Sequence, residues 1–104
     1  MAAGFKWLDE FTEQFFAAIL ALENLEECCC FFEDVATISE IKALSQRLEV
    51  ARMLRSGATY DQIAVRTGAS TATISRVKKY LHYGADGYKL ILDRLEKQDK
   101  LLDG

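Results

Sequence analysis

Proline is absent from the chain, histidine occurs once, and no apolar run approaches the roughly 20 residues of a transmembrane helix. The longest apolar run, residues 15–22, follows acidic residues, whereas a secretory signal carries positive charge before its apolar region. The lack of proline favours helices joined by short connections. We therefore expect a cytoplasmic, all-α protein of one domain, residues 1–104, with no membrane partner.

Enzymatic and metal chemistry have little support in the residues present. The one histidine, His82, has no acid in reach along the sequence, and no strand pattern with a glycine-rich phosphate loop occurs. Cys28, Cys29 and Cys30 would point about 100° apart on a helix, so they cannot converge on one metal ion. We predict a protein that is not an enzyme, with no metal and no cofactor. The thiols are expected to be reduced and packed, with a redox sensor as the alternative.

The net charge of −3 conceals a division along the chain. Residues 1–41 hold one base against nine acids, a net charge of −8. Residues 42–82 hold eight bases against two acids, a net charge of +6, and residues 83–104 carry −1. A positive segment of this kind is typical of a DNA-facing surface, and a solvated basic face without a partner is the alternative.

Capping signals divide the chain into about six helices. Thr59 with Gln62 has the pattern of a capping box, Ser70 is a good N-cap, and Gly57 and Gly84 are placed to end helices. We predict helices over about residues 5–22, from Asn24 with Glu27, from Thr37 with Glu40 to Gly57, from Thr59, from Ser70 to Gly84, and over about residues 87–102.

Apolar residues recur at spacings of three and four, which predicts one packing face on each helix. The predicted faces are Leu8, Phe11, Phe15, Phe16, Ile19, Leu20 and Leu22 in the first helix, Phe31, Phe32 and Val35 in the second, Ile41, Leu44, Leu48, Ala51 and Leu54 in the third, and Ile91, Leu92 and Leu95 in the last. The first and last helices are apolar over an arc too wide for a small monomer to cover. We therefore predict a homodimer, with an ordinary monomeric core as the alternative.

Residues 59–82 have the pattern of a helix-turn-helix. Its apolar set is Ile63, Ala64, Ile74, Val77 and Leu81. We expect the small residue Ala64 where the two helices cross and Gly68 at the turn. With the apolar set facing inward, a rotation of 100° per residue places Ala72, Ser75, Arg76 and Lys79 on the opposite face of the second helix.

The outward side of this second helix has the chemistry of a helix that binds in the major groove. Small and hydroxyl-bearing residues at its start suit contacts to base edges, and they are Ser70, Thr71, Ala72, Thr73 and Ser75. Arg76, Lys78 and Lys79 are better suited to phosphates, which position a protein without specifying sequence. In a dimer, two such helices can reach successive major grooves about 34 Å apart.

From about Gln46 to Leu95 the chain resembles the Trp repressor family. The strongest match is GASTATISR at residues 68–76, with QRLEVARML before it and YLHYGADGYKLILDRL after it, and the chain is similar to the Trp-repressor-related YerC/YecD-type branch. The resemblance implies an intertwined all-helical homodimer that binds operator DNA in the bacterial cytosol or nucleoid. The family's first-helix DNA contacts fall on Tyr60, Asp61 and Ala64. Asp61 replaces a basic residue and Ala64 is too short to reach a phosphate, so we expect the first helix to contribute less.

The same resemblance places a candidate effector pocket at Gln46, Arg47, Arg76 and Tyr80. In the Trp repressor two arginines hold the tryptophan ring; one corresponds to Arg76, and the other falls on Gln46, with Arg47 beside it. Val77 replaces a glycine and Tyr80 replaces a serine, so their bulk should crowd an indole. Tryptophan is therefore not carried over as the effector. Arg76 is expected to hold a phosphate, another anionic effector, or a carboxylate such as that of Asp86.

The function predicted is a dimeric, sequence-specific DNA-binding transcriptional regulator, with a repressor favoured and the effector unknown. The alternative is a helix-turn-helix module that binds a protein partner and no DNA, since some modules of this class do so. Retention of DNA by the purified protein distinguishes the two functions.

Overall fold

The structure, a computed structural model, describes residues 4–103, with side chains described for residues 4–99. Its six helices are α1 (Glu10–Ala21), α2 (Leu25–Val35), α3 (Ile38–Arg55), α4 (Tyr60–Thr67), α5 (Thr71–Tyr83) and α6 (Gly87–Asp103). The described residues contain no strand, so the prediction of an all-α fold with six helices is confirmed. No helix in this range is long and apolar enough to span a bilayer.

The chain forms two compact units, an N-terminal unit over Met1–Ile38 and a C-terminal unit over Ser39–Gly104. The single domain over residues 1–104 stays a prediction, and its first three residues and Gly104 lie outside the described residues.

Aromatic contacts join α1 to α2 in the N-terminal unit. The ring centroid of Phe15 lies 6.0 Å from that of Phe31 and 6.4 Å from that of Phe32. Ahead of α1, the ring of Trp7 packs edge-on against Phe16, with centroids 6.0 Å apart. Aromatic pairs of this geometry contribute about 0.5–1.5 kcal/mol each beyond the area they bury.

This aromatic cluster does not amount to a closed core. No residue of α1 or α2 is buried, and Phe11 and Leu20 expose 81% and 86% of their surface. The apolar stripe predicted on the first helix is therefore uncovered within one chain, and the homodimer expected to cover it stays a prediction. Of the three thiols, Cys28 is half-buried while Cys29 and Cys30 are exposed, so the expectation of packed thiols fails for the last two.

The first helix begins later than the apolar pattern predicts. Asp9 is its N-cap: the Thr12 backbone N–H donates to Asp9 Oδ1 at 2.8 Å, which satisfies a free donor of the first turn. This hydrogen bond, with a second from the Thr12 hydroxyl, lowers the pKa of Asp9 below its ordinary value. Residues 5–8 form a turn closed by the Leu8 N–H on the Phe5 carbonyl, so the predicted start at Phe5 is wrong.

In the second helix the predicted cap is confirmed with one change. The Glu27 N–H donates to Asn24 Oδ1 at 2.9 Å. The Glu27 carboxylate accepts from the N–H of Glu23, one residue before the cap, rather than from that of Asn24.

The C-terminal unit has a continuous core, to which α3, α4, α5 and α6 all contribute. Its buried members are Val50, Ala51, Ile63, Ala69, Ile74, Val77 and Leu92. The helix α5 lies against both α4 and α6. At the end of α3, the Arg55 guanidinium pairs with Asp93 and with Glu96, 3.5 Å away, which ties α3 to α6.

Three details of the predicted packing in this unit are wrong within one chain. Ala64 is exposed, and the buried alanine of the helix pair is Ala69, on the far side of the turn. On α3 the fully buried residues are Val50 and Ala51, whereas Leu44 is exposed. On α6 Leu92 is buried as predicted, but Ile91 and Leu95 are exposed within one chain.

Candidate nucleic-acid interface

The turn between α4 and α5 is built by local hydrogen bonds. Thr59 and Gln62 form the predicted capping box, with the Gln62 N–H on Thr59 Oγ1 at 3.2 Å and the Thr59 N–H on Gln62 Oε1 at 2.9 Å. The helix α4 ends at its C-cap, Gly68, whose φ of +73° is in the left-handed region. No atom lies within 4 Å of the position that a Cβ of residue 68 would take, so glycine is required by conformation and not by space.

Ser70 is the N-cap of α5, as predicted. Its Oγ accepts the Thr73 N–H at 3.1 Å and lies 3.1 Å from the Thr73 hydroxyl. The hydroxyls of Ser70 and Thr73 are therefore engaged with each other and with the cap. Thr71, Ala72 and Ser75 are exposed beside them.

The inward and outward sides of α5 follow the prediction. Ile74, Val77 and Leu81 are buried, with exposed fractions of 1%, 2% and 5%. The four residues predicted to face outward, Ala72, Ser75, Arg76 and Lys79, are all exposed, as are Thr71 and Lys78. A rigid helix held on one side by three apolar residues thus presents small, hydroxyl-bearing and basic side chains on the other.

The positive charge of residues 42–82 is concentrated on this helix, because part of the rest is neutralised. Glu49 accepts hydrogen bonds from both Arg52 and Arg66 at 2.7 Å, and Arg55 is paired with α6. The hydrogen bonds from Arg52 and then Arg66 lower the pKa of Glu49 from 4.5 to about 2. Among residues 4–99, no carboxylate lies within ion-pairing distance of the three α5 cations, Arg76, Lys78 and Lys79.

Two of these cations lie over aromatic rings. Lys78 Nζ is 5.8 Å from the ring centroid of Tyr60, and Lys79 Nζ is 6.0 Å from that of Tyr80. Tyr60 also reaches α5 directly, since its hydroxyl lies 3.4 Å from Ser75 Oγ. The resemblance implied a DNA contact at Tyr60, but its contact with Ser75 was not predicted, because the two residues are fifteen apart in the sequence.

An open cleft of about 640 Å³ lies beside α5. It is lined by Arg47, Ala72, Thr73, Arg76, Val77, Tyr80 and Tyr88. Three of the four predicted effector residues thus come together. The fourth, Gln46, does not line the cleft: its Nε2 donates to the Thr67 carbonyl at 3.0 Å. Tyr88 was not predicted to line the cleft, because it lies on α6 and carries no local signal.

Within the cleft, the arginines have no acidic partner among the described residues. Asp86 pairs with Lys89 at 3.7 Å, so it is not the carboxylate that holds Arg76. Val77 and Tyr80 both line the cleft, as their predicted crowding effect requires. The arrangement offers guanidinium and hydroxyl donors next to aromatic walls, which suits an anion.

Comparison with known proteins places these features in a family. The family model described as Trp repressor protein matches residues 10–96. The uncharacterised protein YerC of Bacillus subtilis strain 168 is 59% identical over 87 residues, which cover 84% of each chain. The structure of a TrpR-like protein from Eubacterium eligens has a TM-score of 0.83 at 58% identity, covering 85% of this chain and 91% of that one.

A second crystal structure, of a candidate Trp repressor from Staphylococcus aureus, also has a TM-score of 0.83. It is 53% identical, and the match covers 86% of this chain and 89% of that one. The exposed basic α5, the glycine turn and these similarities agree: the chain belongs to the Trp repressor family, a family of helix-turn-helix DNA-binding regulators.

Proposed function

We propose that this protein is a dimeric, sequence-specific transcriptional regulator, acting as a repressor in the bacterial cytosol or nucleoid, that binds double-stranded DNA through α4 and α5. The observation that carries the proposal is the outward side of α5. Its first turns are small and hydroxyl-bearing. Its following turns hold three cations that pair with no carboxylate of residues 4–99, and its inward side is fixed by buried Ile74 and Val77. A helix with that division can enter a major groove without losing contacts to its own core.

Within that proposal the α5 residues divide into two roles. Thr71, Ala72 and Ser75 contact base edges. Near Ser70 and Thr73, the free backbone N–H groups at the start of α5 are available to a phosphate oxygen. Arg76, Lys78 and Lys79 contact phosphates and supply affinity without sequence preference.

The homodimer is supported by apolar surface that one chain leaves uncovered. The N-terminal unit buries none of its described residues, and on α6 Ile91 and Leu95 are exposed. A partner related by two-fold symmetry would cover both regions. Residues 1–104 of each copy would then form a single domain. A dimer would also supply the second recognition helix that a two-half-site operator needs.

The proposed effector is an unidentified anion and not tryptophan, bound in the cleft between Arg47, Arg76 and Tyr80. Arg47 and Arg76 have no acidic partner among residues 4–99, which supports an anion, while Val77 and Tyr80 reduce the space for an indole. A thermal-shift series with tryptophan, inorganic phosphate and other small anions tests this. A rise in Tm with an anion and none with tryptophan is expected, and a rise with tryptophan alone contradicts it.

DNA binding is tested by mobility shift on genomic fragments at two salt concentrations. We expect retarded fragments whose affinity falls with salt. Lys79→Ala should weaken all fragments alike and flatten the log–log slope by about 0.9. Ser75→Ala should change which fragments are preferred. If no fragment is retarded at low salt and a protein partner is retained after nuclease treatment, the alternative applies: the helix pair binds a protein and no DNA.

A further inference from the structure

Tyr60 touches one residue of each kind that the proposed function distinguishes, a base contact and a phosphate contact. Tyr60 is the first residue of α4, directly after the capping residue Thr59. Its ring is partly buried against the core of the C-terminal unit. The two reciprocal hydrogen bonds of the capping box fix the backbone at this point. Tyr60 is therefore held at both its backbone and its ring.

From this fixed position the side chain of Tyr60 meets α5 at two residues one turn apart. The phenol oxygen lies 3.4 Å from Ser75 Oγ, and the Nζ of Lys78 lies over the ring at 5.8 Å from the centroid. Both partners are exposed. Ser75 is the proposed base contact and Lys78 a proposed phosphate contact, so one side chain touches both.

We propose that Tyr60 is a positioning residue for DNA sequence specificity. Its hydroxyl orients that of Ser75 toward base edges, while its ring holds the Lys78 ammonium where it reaches a DNA phosphate. A serine hydroxyl has one proton to donate, so a phenol bonded to it determines which role, donor or acceptor, remains for a base. The inference rests on the proposed DNA-binding function. It also gives α4 a part in specificity although Asp61 and Ala64 cannot contact phosphates.

Two substitutions distinguish the effect of the phenol oxygen from that of the ring. Tyr60→Phe removes the hydroxyl and keeps the ring under Lys78, and Tyr60→Leu removes both. Tyr83→Phe is the matched control, since it deletes a hydroxyl from an exposed tyrosine of the same helix pair that has no contact with Ser75. Ser75→Ala and the double variant with Tyr60→Phe complete a double-mutant cycle, which isolates the coupling between the two hydroxyls.

The measurement is the ratio of affinities for the preferred fragment and for fragments changed at single base pairs. We expect Tyr60→Phe to reduce that ratio about 2- to 10-fold at the same base pairs as Ser75→Ala, with little further change in the double variant. Its salt slope should stay that of the wild type, whereas Tyr60→Leu should also flatten the slope toward that of Lys78→Ala. Tyr83→Phe should change neither quantity.

The inference is overturned by a Tyr60→Phe protein with wild-type preferences and an unchanged melting curve. It is also overturned by an equal loss on every fragment, which would make Tyr60 a phosphate contact. A wild-type protein that retains no fragment at all contradicts the proposed function itself. The two failures are therefore distinguishable.

Discussion

The N-terminal unit contains all six phenylalanines of the chain and buries none of its described residues, whereas the C-terminal unit buries eight residues with smaller side chains. In the C-terminal unit, α5 meets neighbours on α4 and α6, so its apolar residues are enclosed by their own chain. In the N-terminal unit, rings touch in pairs but remain open to solvent. The comparison indicates that the helix-turn-helix is stabilised within one copy, and in the proposed dimer a second copy would cover the aromatic unit.

The largest effect should come from placing a charge on the uncovered apolar surface. Leu20 is 86% exposed in one chain, so Leu20→Glu would cost little in a monomer. In the proposed dimer the carboxylate would be desolvated, and we expect the dimer dissociation constant to rise by about 100-fold or more. Analytical ultracentrifugation measures it. Val65→Glu, a substitution of an 88% exposed residue in the other unit, is the control and should leave the dimer intact.

A smaller effect is expected in the closed core of the C-terminal unit. Val50→Ala removes two methyl groups from a side chain with no exposed surface and leaves a cavity, so it should lower the free energy of unfolding by about 2 kcal/mol. Val65→Ala deletes the same atoms from an exposed side chain and should stay within about 0.5 kcal/mol of wild type. Denaturant melts of both variants measure the difference. Equal losses would mean that the division into closed and open regions is wrong.

The Glu49 network is expected to contribute less than the core. Because the pKa of Glu49 is lowered from 4.5 to about 2, its carboxylate stabilises the fold above about pH 5, and this contribution is lost as the pH falls from 4.5 toward 2. Glu49→Gln should cost about 1–2 kcal/mol at pH 7, since the partner guanidiniums are largely exposed and screened. Denaturant melts from pH 7 to pH 3 should show a weaker acid dependence in the variant. An unchanged dependence contradicts the assignment.

The smallest expected change separates capping from DNA binding at Ser70. Ser70→Ala removes the acceptor of the Thr73 N–H and should cost about 1 kcal/mol of stability. Ser70→Asp keeps a capping acceptor, so the fold should be retained. Its added negative charge should repel phosphates and weaken binding to every fragment. Melting curves and mobility shifts on the two variants measure these effects, and a Ser70→Asp protein with wild-type DNA affinity would place Ser70 away from the interface.

Local patterns allowed accurate prediction where the interaction spans one turn. The Thr59–Gln62 box, the Ser70 cap and the left-handed Gly57 and Gly68 each depend on residues within four positions. The inward trio on α5 was predictable for the same reason, because its spacing of three and four matches one helical face. The cap at Asp9 was not predicted, because the first helix was expected to begin at about Phe5.

The rest depends on contacts between distant residues. Val50 is buried because α3 meets several neighbours and not because of its place in a stripe. Gln46 leaves the cleft because the Thr67 carbonyl, 21 residues later, accepts its side chain. Ala69 is buried where Ala64 was expected because the left-handed Gly68 turns the chain inward after α4. A single sequence carries no pattern for such pairings.

The central claim is that α5 presents a base-contacting surface and that a second copy supplies its counterpart. Selection of bound fragments from the organism's own genome, at near-physiological salt, tests both parts together. We predict enrichment of fragments with two related half-sites whose centres lie about 10 base pairs apart, or a multiple of that spacing. No enrichment, or enriched fragments without a repeated half-site, would contradict the account.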